Sequence, residues 1–547
     1  MSNHSTAKTQ SLLSMTTLKK STFALCTCTF AALNLNAPQS VAEDNNITDS
    51  LLGTFEATVQ AAMATYNVPG VAVAIVEGND IVYANGFGWR NRENQEPVTR
   101  YTRFQLGSMT KPMTATMVAT LVDDDLLKWK QPVVEIWPGF TLPTEELTQN
   151  VQVRHLMQMN TGLGDEDPFT SFYNITLNGV SAEETLESLE GLPILAELGQ
   201  VFYSNSCVFA SAGFIAAIAS GAEYGDLFNG YNGLMQERIF NPIGMDSARF
   251  TFDLPAVGGD YATGYAFNLV TNTIDPLNNP NPPNAEGYAP AGWISANAED
   301  VARYLITQLN KGIAPNGNRV VSVKNVMKTR QPKMEIVNNT AFSTLYPLAQ
   351  SLHYGTGLVV AEQVNGVKMI GHSGGNFGFV SNMAFIPDAD VGIVILTNRN
   401  FFDGYFSAAH FIGAVRDSFF ELVYNLEPTV AEAYALQYQQ FLAQIAMLRA
   451  IMQVNFPPST VAPYLGNYDE GWQVEQHPDG TLWLVLQDVH EYQLVLLPDG
   501  RYIISNNGVY GTPVIFSTSD NGTMTMTITM MMVTTGAVAT KTVGKLD

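Results

Sequence analysis

Ser108-Met109-Thr110-Lys111 sets a hydroxyl and an amine three residues apart, between Phe104-Gln105-Leu106-Gly107 and Met113-Thr114-Ala115-Thr116. On a helix that spacing brings both side chains to one face. A lysine withdrawn from water there can lose its proton and activate the hydroxyl, and the helix N-terminal amides favour negative charge developing nearby. Tyr203-Ser204-Asn205 precedes an apolar helical run, 207–219. A tyrosine held beside lysine can shuttle protons, and an asparagine amide can orient a substrate carbonyl. His372-Ser373-Gly374-Gly375 opens a late strand region, where a polar side chain beside glycines suits an edge that substrate approaches closely.

Each pattern has a chance twin: Ser5-Thr6-Ala7-Lys8, Tyr83-Ala84-Asn85 and His353-Tyr354-Gly355. Taken singly, the motifs are equally a surface serine, a core tyrosine and a glycine-rich strand edge. In this order, each in a fitting structural context, they are specific. No His/Cys/Asp cluster has zinc spacing, so neither metal nor other cofactor is expected.

The elements that must position these residues follow from pattern and punctuation. The chain has 547 residues, 46% hydrophobic and 14% charged, a globular composition longer than one compact core needs. Helical periodicity covers 47–66, and Val68-Pro69-Gly70 leads into an apolar strand, 71–76. Gly78-Asn79-Asp80 turns the chain into a second strand, 81–86, and a helix is expected over 110–127. Loops and short helices run to about 345, strands return at 381–386 and 391–397, and helices follow at 406–424 and 429–453. The early and late strands are expected to share one sheet. Asn455-Phe456-Pro457-Pro458 breaks the last helix. Beyond it lie strands with turns at Asp479-Gly480, Asp499-Gly500, Asn507-Gly508 and Asn521-Gly522. Met524, Met526, Ile528 and Met530 share one face as core, in a small β-barrel or sandwich.

Lys+Arg number 27 against 50 Asp+Glu, a formal charge of −23, which disfavours nucleic acid and anionic membrane surfaces as partners. At its start, Lys19-Lys20 precede an uncharged stretch, 22–33, then Ser40-Val41-Ala42 and the acidic Glu43-Asp44. That pattern reads as a signal peptide over 1–42 and export to the periplasm or the medium. Its removal takes Cys26 and Cys28 and leaves Cys207 without a disulfide partner. Nothing later is long and apolar enough to read as a membrane span. The resulting division is 1–42 leader, 43–426 mixed domain, 427–456 linking helix and 457–547 all-β domain.

From about residue 50 to 400 the sequence resembles the serine β-lactamase and penicillin-binding-protein-like hydrolases, near class C β-lactamases and D-alanyl-D-alanine carboxypeptidases. Besides the three motifs, the likeness rests on Val68-Pro69-Gly70-Val71, Val153-Arg154-His155-Leu156, Thr161-Gly162-Leu163, Pro242-Ile243-Gly244-Met245, Pro290-Ala291-Gly292-Trp293 and Thr397-Asn398. The resemblance implies an α/β (α+β) fold: a five-stranded antiparallel sheet flanked by helices, a helical subdomain, and an active-site cleft between them. The stretch opening Tyr464-Leu465-Gly466-Asn467-Tyr468 looks like a lipocalin-like β-barrel. Gating the cleft, forming a homo-oligomer and stabilising the chain are all open roles for it.

The resemblance also implies roles. Ser108 would be the nucleophile of an acyl-enzyme, Lys111 its base partner, and Tyr203 the proton shuttle. Asn205 would position a substrate amide. Ser373 and Gly374 would line the substrate strand, and the amides of Ser108 and Gly375 would form the oxyanion hole, worth of order 3 kcal/mol per donor. His372 stands where β-lactamases carry the lysine of Lys-Thr-Gly, to bind a carboxylate or organise the Tyr203 proton network. A His-x-Gly motif resembles carboxypeptidases, D-aminopeptidases, amidases and esterases more than efficient β-lactamases. The expectation is an exported serine hydrolase of D-residue peptides or peptide-like amides. Its alternatives are an esterase on short acyl esters and a β-lactam or muropeptide binding protein with slow turnover. Trp293 is expected in the core.

Overall fold

The computed structural model describes residues 47–546 except 166–177, 252, 278–284, 338–341, 343–344, 364–365, 401–406, 507–508, 510, 521 and 532–537. The expected leader lies outside the described residues. Helix α1 (Asp49–Tyr66) starts where the Thr48 hydroxyl accepts Leu51 N–H and stops at Asn67, held in the left-handed region. Strands β1 (Gly70–Glu77) and β2 (Asp80–Asn91) then form the expected hairpin, with β2 running further than its apolar pattern suggests. Helix α2 (Thr110–Asp123) is buried from Thr110 to Leu121. It ends short of residue 127 because Asp125, the last of three consecutive aspartates, turns left-handed (φ 58°). Pro112 lies in its first turn, where a missing N–H is tolerated.

The later elements close the sheet. After α3 (Ser206–Ala219) come a hairpin, β3 (Tyr265–Asn268) with β4 (Thr273–Pro276), and helix α4 (Ala298–Leu309). Strands β5 (Ala349–Tyr354), β6 (Val359–Gln363), β7 (Lys368–Asn376), β8 (Phe379–Ile386) and β9 (Val391–Thr397) follow. The early and late strands do pair: β1 lies antiparallel to β9 with Val71 opposite Thr397 and Ile75 opposite Ile393. The sheet order is β2-β1-β9-β8-β7-β6-β5, extended at its ends by Glu96–Pro97 and Met334–Glu335. Nine described strands thus replace the five expected. The outer ones are too short or too broken in pattern to stand out from sequence. Both β1 and β9 are buried almost throughout, as a central position demands.

Helices flank this sheet. Helix α4 packs on β1 and β9, whereas α1 packs against α5 (Ser407–Val423), which in turn meets α6 (Val430–Ile451). Phe55 of α1 meets Phe419 of α5 edge-on at 5.6 Å between ring centres. Trp293 is 6% exposed and part of this core, as expected.

Eight antiparallel strands in sequential order follow α6, from Gly466–Asn467 to Val538–Gly544. They curl into a half-barrel: the first and last approach where Tyr468 bridges Lys545 and Leu546 N–H donates to Asn467 O at 2.8 Å. Met526 and Ile528 are buried inside it, with Met524 and Met530 packed beside them. A separate apolar cluster joins its outer face to the β3–β4 hairpin and α6 through Val495, Ile503, Phe267, Leu269 and Ile445. No helix among the described residues is long and apolar enough to cross a membrane.

Candidate active site

Ser108 sits in a tight 3-10 turn, Gly107–Met109, that feeds α2. One turn on, Lys111 is 3% exposed. Its Nζ lies 2.9 Å from Ser108 Oγ, 3.0 Å from the Ala291 carbonyl and 3.3 Å from Ser206 Oγ. No carboxylate is among these partners, and the Phe209 ring lies 5.6 Å away. Burial therefore pushes the ammonium down to about 7, with Cys207 pulling weakly the other way. At neutral pH a large share of Lys111 is free amine, a base in contact with a hydroxyl.

The turn is held from below by β7. Gly107 adopts φ +54°, and a Cβ there would strike the amide of Gly375. A Cβ on Gly374 would strike the Leu106 carbonyl and lie 2.8 Å from Ser108 N. Backbone therefore touches backbone, which only glycine allows. Ser381 Oγ, from β8, donates to Leu106 O at 2.6 Å and pins the same turn. The amides of Ser108 and Gly375 are thereby brought side by side. Strand β6 pairs with β7 only as far as Gly371, so 372–376 lie beyond its ladder.

The second motif enters from α3. Asn205 caps this helix, its Oδ1 accepting Val208 N–H at 2.8 Å, while Nδ2 donates to Gly164 O at 2.7 Å. Both ends of the amide are thus engaged within the protein, and Asn205 is buried. Tyr203 is partly buried just before the cap, its backbone N–H on Met159 O.

His372 was expected to bind a carboxylate or to organise the Tyr203 proton network, and its surroundings bear on the first of these. Nδ1 lies 2.6 Å from the Ser373 carbonyl, which can only accept, so Nδ1 carries the proton. Nε2 then accepts from the Tyr354 hydroxyl at 3.3 Å. Burial, followed by the neighbouring Lys111 charge, pushes the imidazole down to about 3. A neutral ring with both nitrogens engaged has no charge with which to hold a carboxylate. Ser373, expected to line the substrate strand, is likewise buried, its Oγ accepting from Asn382 Nδ2 at 2.8 Å. Gly374 serves close packing beneath the nucleophile turn.

Ser108, Lys111 and the Gly375 amide thus converge, with His372 close enough to feel the lysine charge. Three partners escaped the sequence reading. Ser206 directly follows the Tyr-x-Asn motif, a signal that was there to use. Tyr354 belongs to a triplet discounted as chance, and a backbone carbonyl such as that of Ala291 leaves no signal at all.

Known proteins bear on this geometry. A family model described as Beta-lactamase matches residues 55–415. An unguisins hydrolase of Aspergillus campestris is 27% identical over 66% of this chain, which spans 64% of that relative. Penicillin-binding protein 4 of Amycolatopsis lactamdurans is 25% identical over 75% of this chain and 95% of its own. A D-aminopeptidase of Cereibacter sphaeroides is 24% identical over 64% of this chain and 60% of its own. In three dimensions, the octameric penicillin-binding protein homologue of Pyrococcus abyssi covers 91% of this chain with a TM-score of 0.58 at 20% identity, a likeness of fold. With the family model spanning most of the chain, the protein belongs to the beta-lactamase family.

Proposed function

We propose that the protein is an exported hydrolase that cleaves an amide or ester through an acyl-enzyme on Ser108, with peptides or peptide-like amides of D-residues as its substrate class. The observation that carries this reading is the buried Lys111 amine in contact with Ser108 Oγ, with no carboxylate among its partners in the described residues. Lys111 takes the hydroxyl proton as Oγ attacks the substrate carbonyl. The amides of Ser108 and Gly375 receive the oxyanion. Tyr203 passes a proton to the leaving amine or alkoxide as the scissile bond breaks, leaving an acyl ester on Ser108. Water, deprotonated by the same Lys111–Tyr203 pair, then releases the acid. Asn205 positions the loop carrying Tyr203 by capping α3 and tying Gly164.

The neutral His372 selects within this class. Substrates that need no C-terminal carboxylate, such as D-aminoacyl amides, fit better than acyl-D-Ala-D-Ala, and short acyl esters are favoured by the same observation. The named hydrolase and D-aminopeptidase relatives support an amide as the cleaved bond. The chain is read further as a 1–42 leader, a 43–426 hydrolase domain, a 427–456 linker and a 457–547 β-domain. Self-assembly, as in the archaeal octamer, is proposed with it.

Turnover of D-alanine amide, a short acyl ester and an acyl-D-Ala-D-Ala peptide should be compared under steady state. The expected result is that the first two are hydrolysed with kcat/KM at least about 10-fold above the carboxylate peptide, the loss of one weak ionic contact being of that order. Strict dependence on the carboxylate would overturn the neutral-site reading. A covalent adduct with penicillin that persists without turnover would turn the assignment to a binding protein.

A further inference from the structure

We propose that Ser206 is a positioning residue for acylation: its hydroxyl, with the Ala291 carbonyl, takes up the two hydrogens of the neutral Lys111 amine and so aims its lone pair at Ser108 Oγ. The inference deepens the acyl-enzyme reading and rests on it.

A neutral amine has two N–H bonds and one lone pair, arranged tetrahedrally. Lys111 Nζ has three oxygen partners among the described residues: Ser108 Oγ at 2.9 Å, Ala291 O at 3.0 Å and Ser206 Oγ at 3.3 Å. A carbonyl only accepts, so one N–H is committed to Ala291. For the Ser108 proton to transfer to nitrogen, the lone pair must face Ser108, the nearest of the three. Among the described residues, the acceptor left for the second N–H is Ser206 Oγ. Without that acceptor the amine rotates about its Cε–Nζ bond, and the lone pair is no longer held on the nucleophile.

Ser206 is free for this task. It is the first residue of α3, yet the capping oxygen there is that of Asn205. The carbonyl partner is also fixed, because Thr114 Oγ1 donates to Pro290 O at 2.7 Å and Asn376 Nδ2 to Gly292 O at 3.1 Å, on either side of Ala291. Among the described residues, the titratable groups in electrostatic contact with Lys111 are Cys207 from α3 and His372 from β7, and Tyr203 is the group proposed to share its proton. His372 is held neutral by burial, and Cys207 is a buried thiol outside any disulfide. Among the described residues the hydrogen-bond partners of Lys111 Nζ are Ser108, Ser206 and Ala291.

The test compares wild type with Ser206→Ala, Ser206→Thr and Ser206→Val. The rate of fluorophosphonate labelling is followed by intact mass as pH is raised, alongside an NMR titration of the Lys111 Cε/Nζ resonances. Ser206→Ala is expected to label about 10-fold more slowly on its high-pH plateau, a fraction of what a general base contributes. Its acid limb should move to lower pH, because the ammonium loses an acceptor that favours its charged form. Threonine should restore both, whereas valine, matched to it in shape, should not; this pair also decides the matter if alanine unfolds the helix start. A merely structural serine would leave the limb in place, and an unchanged plateau and midpoint would overturn the proposal. Failure of wild type to label at all would sink the acyl-enzyme reading instead. The NMR midpoints then decide this one: lower in Ser206→Ala sustains it, and equal overturns it.

Discussion

Lys111→Arg and Lys111→Met should each slow acylation of Ser108 by about three orders of magnitude, within what general-base catalysis contributes. The two replacements fail for different reasons. Arginine keeps the charge but cannot give up its proton at any working pH. Methionine keeps the volume without a basic nitrogen. Wild-type acylation is expected to rise as pH increases through about 7, where Lys111 loses its proton, and then to level off. The direction follows from the base having to be neutral: below that midpoint the ammonium holds its proton and Ser108 keeps its own. Stopped-flow acylation across pH reads both effects. A substitution that kept wild-type rates and the same acid limb would place the base elsewhere.

Gly374→Ala should cost acylation about 100-fold or more, corresponding to about 3 kcal/mol as an oxyanion donor is displaced. The new methyl would meet the Leu106 carbonyl and the Ser108 amide. Both are backbone and cannot swing aside, and the Ser381 hydroxyl of β8, bonded to Leu106 O and itself 2.7 Å from the new methyl, crowds it further. Displacing the turn moves the nucleophile and its own amide together. Gly53→Ala in helix α1 provides the contrast, since a Cβ there meets nothing within 4 Å and should be neutral or slightly stabilising. Labelling rates and melting curves of the two variants separate loss of geometry from loss of fold. Wild-type labelling in Gly374→Ala would contradict the close approach of β7 to the nucleophile turn.

Much of this site was legible because its logic is local. Ser108 and Lys111 meet through helical spacing alone, and the Tyr203–Asn205 motif was placed directly before an apolar helical run. Strand β9 was readable from its β-branched run, and so was its sharing a sheet with β1, though not the direct pairing of the two. What sequence could not supply is distant in the chain. The charge state of His372 depends on Tyr354, on its own backbone turn and on Lys111, which only the fold assembles. The motif therefore suggested an anchor for carboxylates where burial produces a neutral ring. Ser373 was misjudged for a similar reason: strand alternation says that it faces away from His372, but Asn382 had to be placed opposite before its hydroxyl was accounted for. The sheet proved wider than expected because two-residue strands such as Met334–Glu335 carry no periodicity to read.

Peptide-mapped intact mass after fluorophosphonate treatment, on folded wild type and Ser108→Ala, tests the central claim that Ser108 is the nucleophile activated by Lys111. The expected result is one adduct, on the peptide holding Ser108, absent from the alanine variant and forming faster as pH rises through about 7. An adduct that survives in Ser108→Ala, or that maps to another residue such as Ser206, would contradict it.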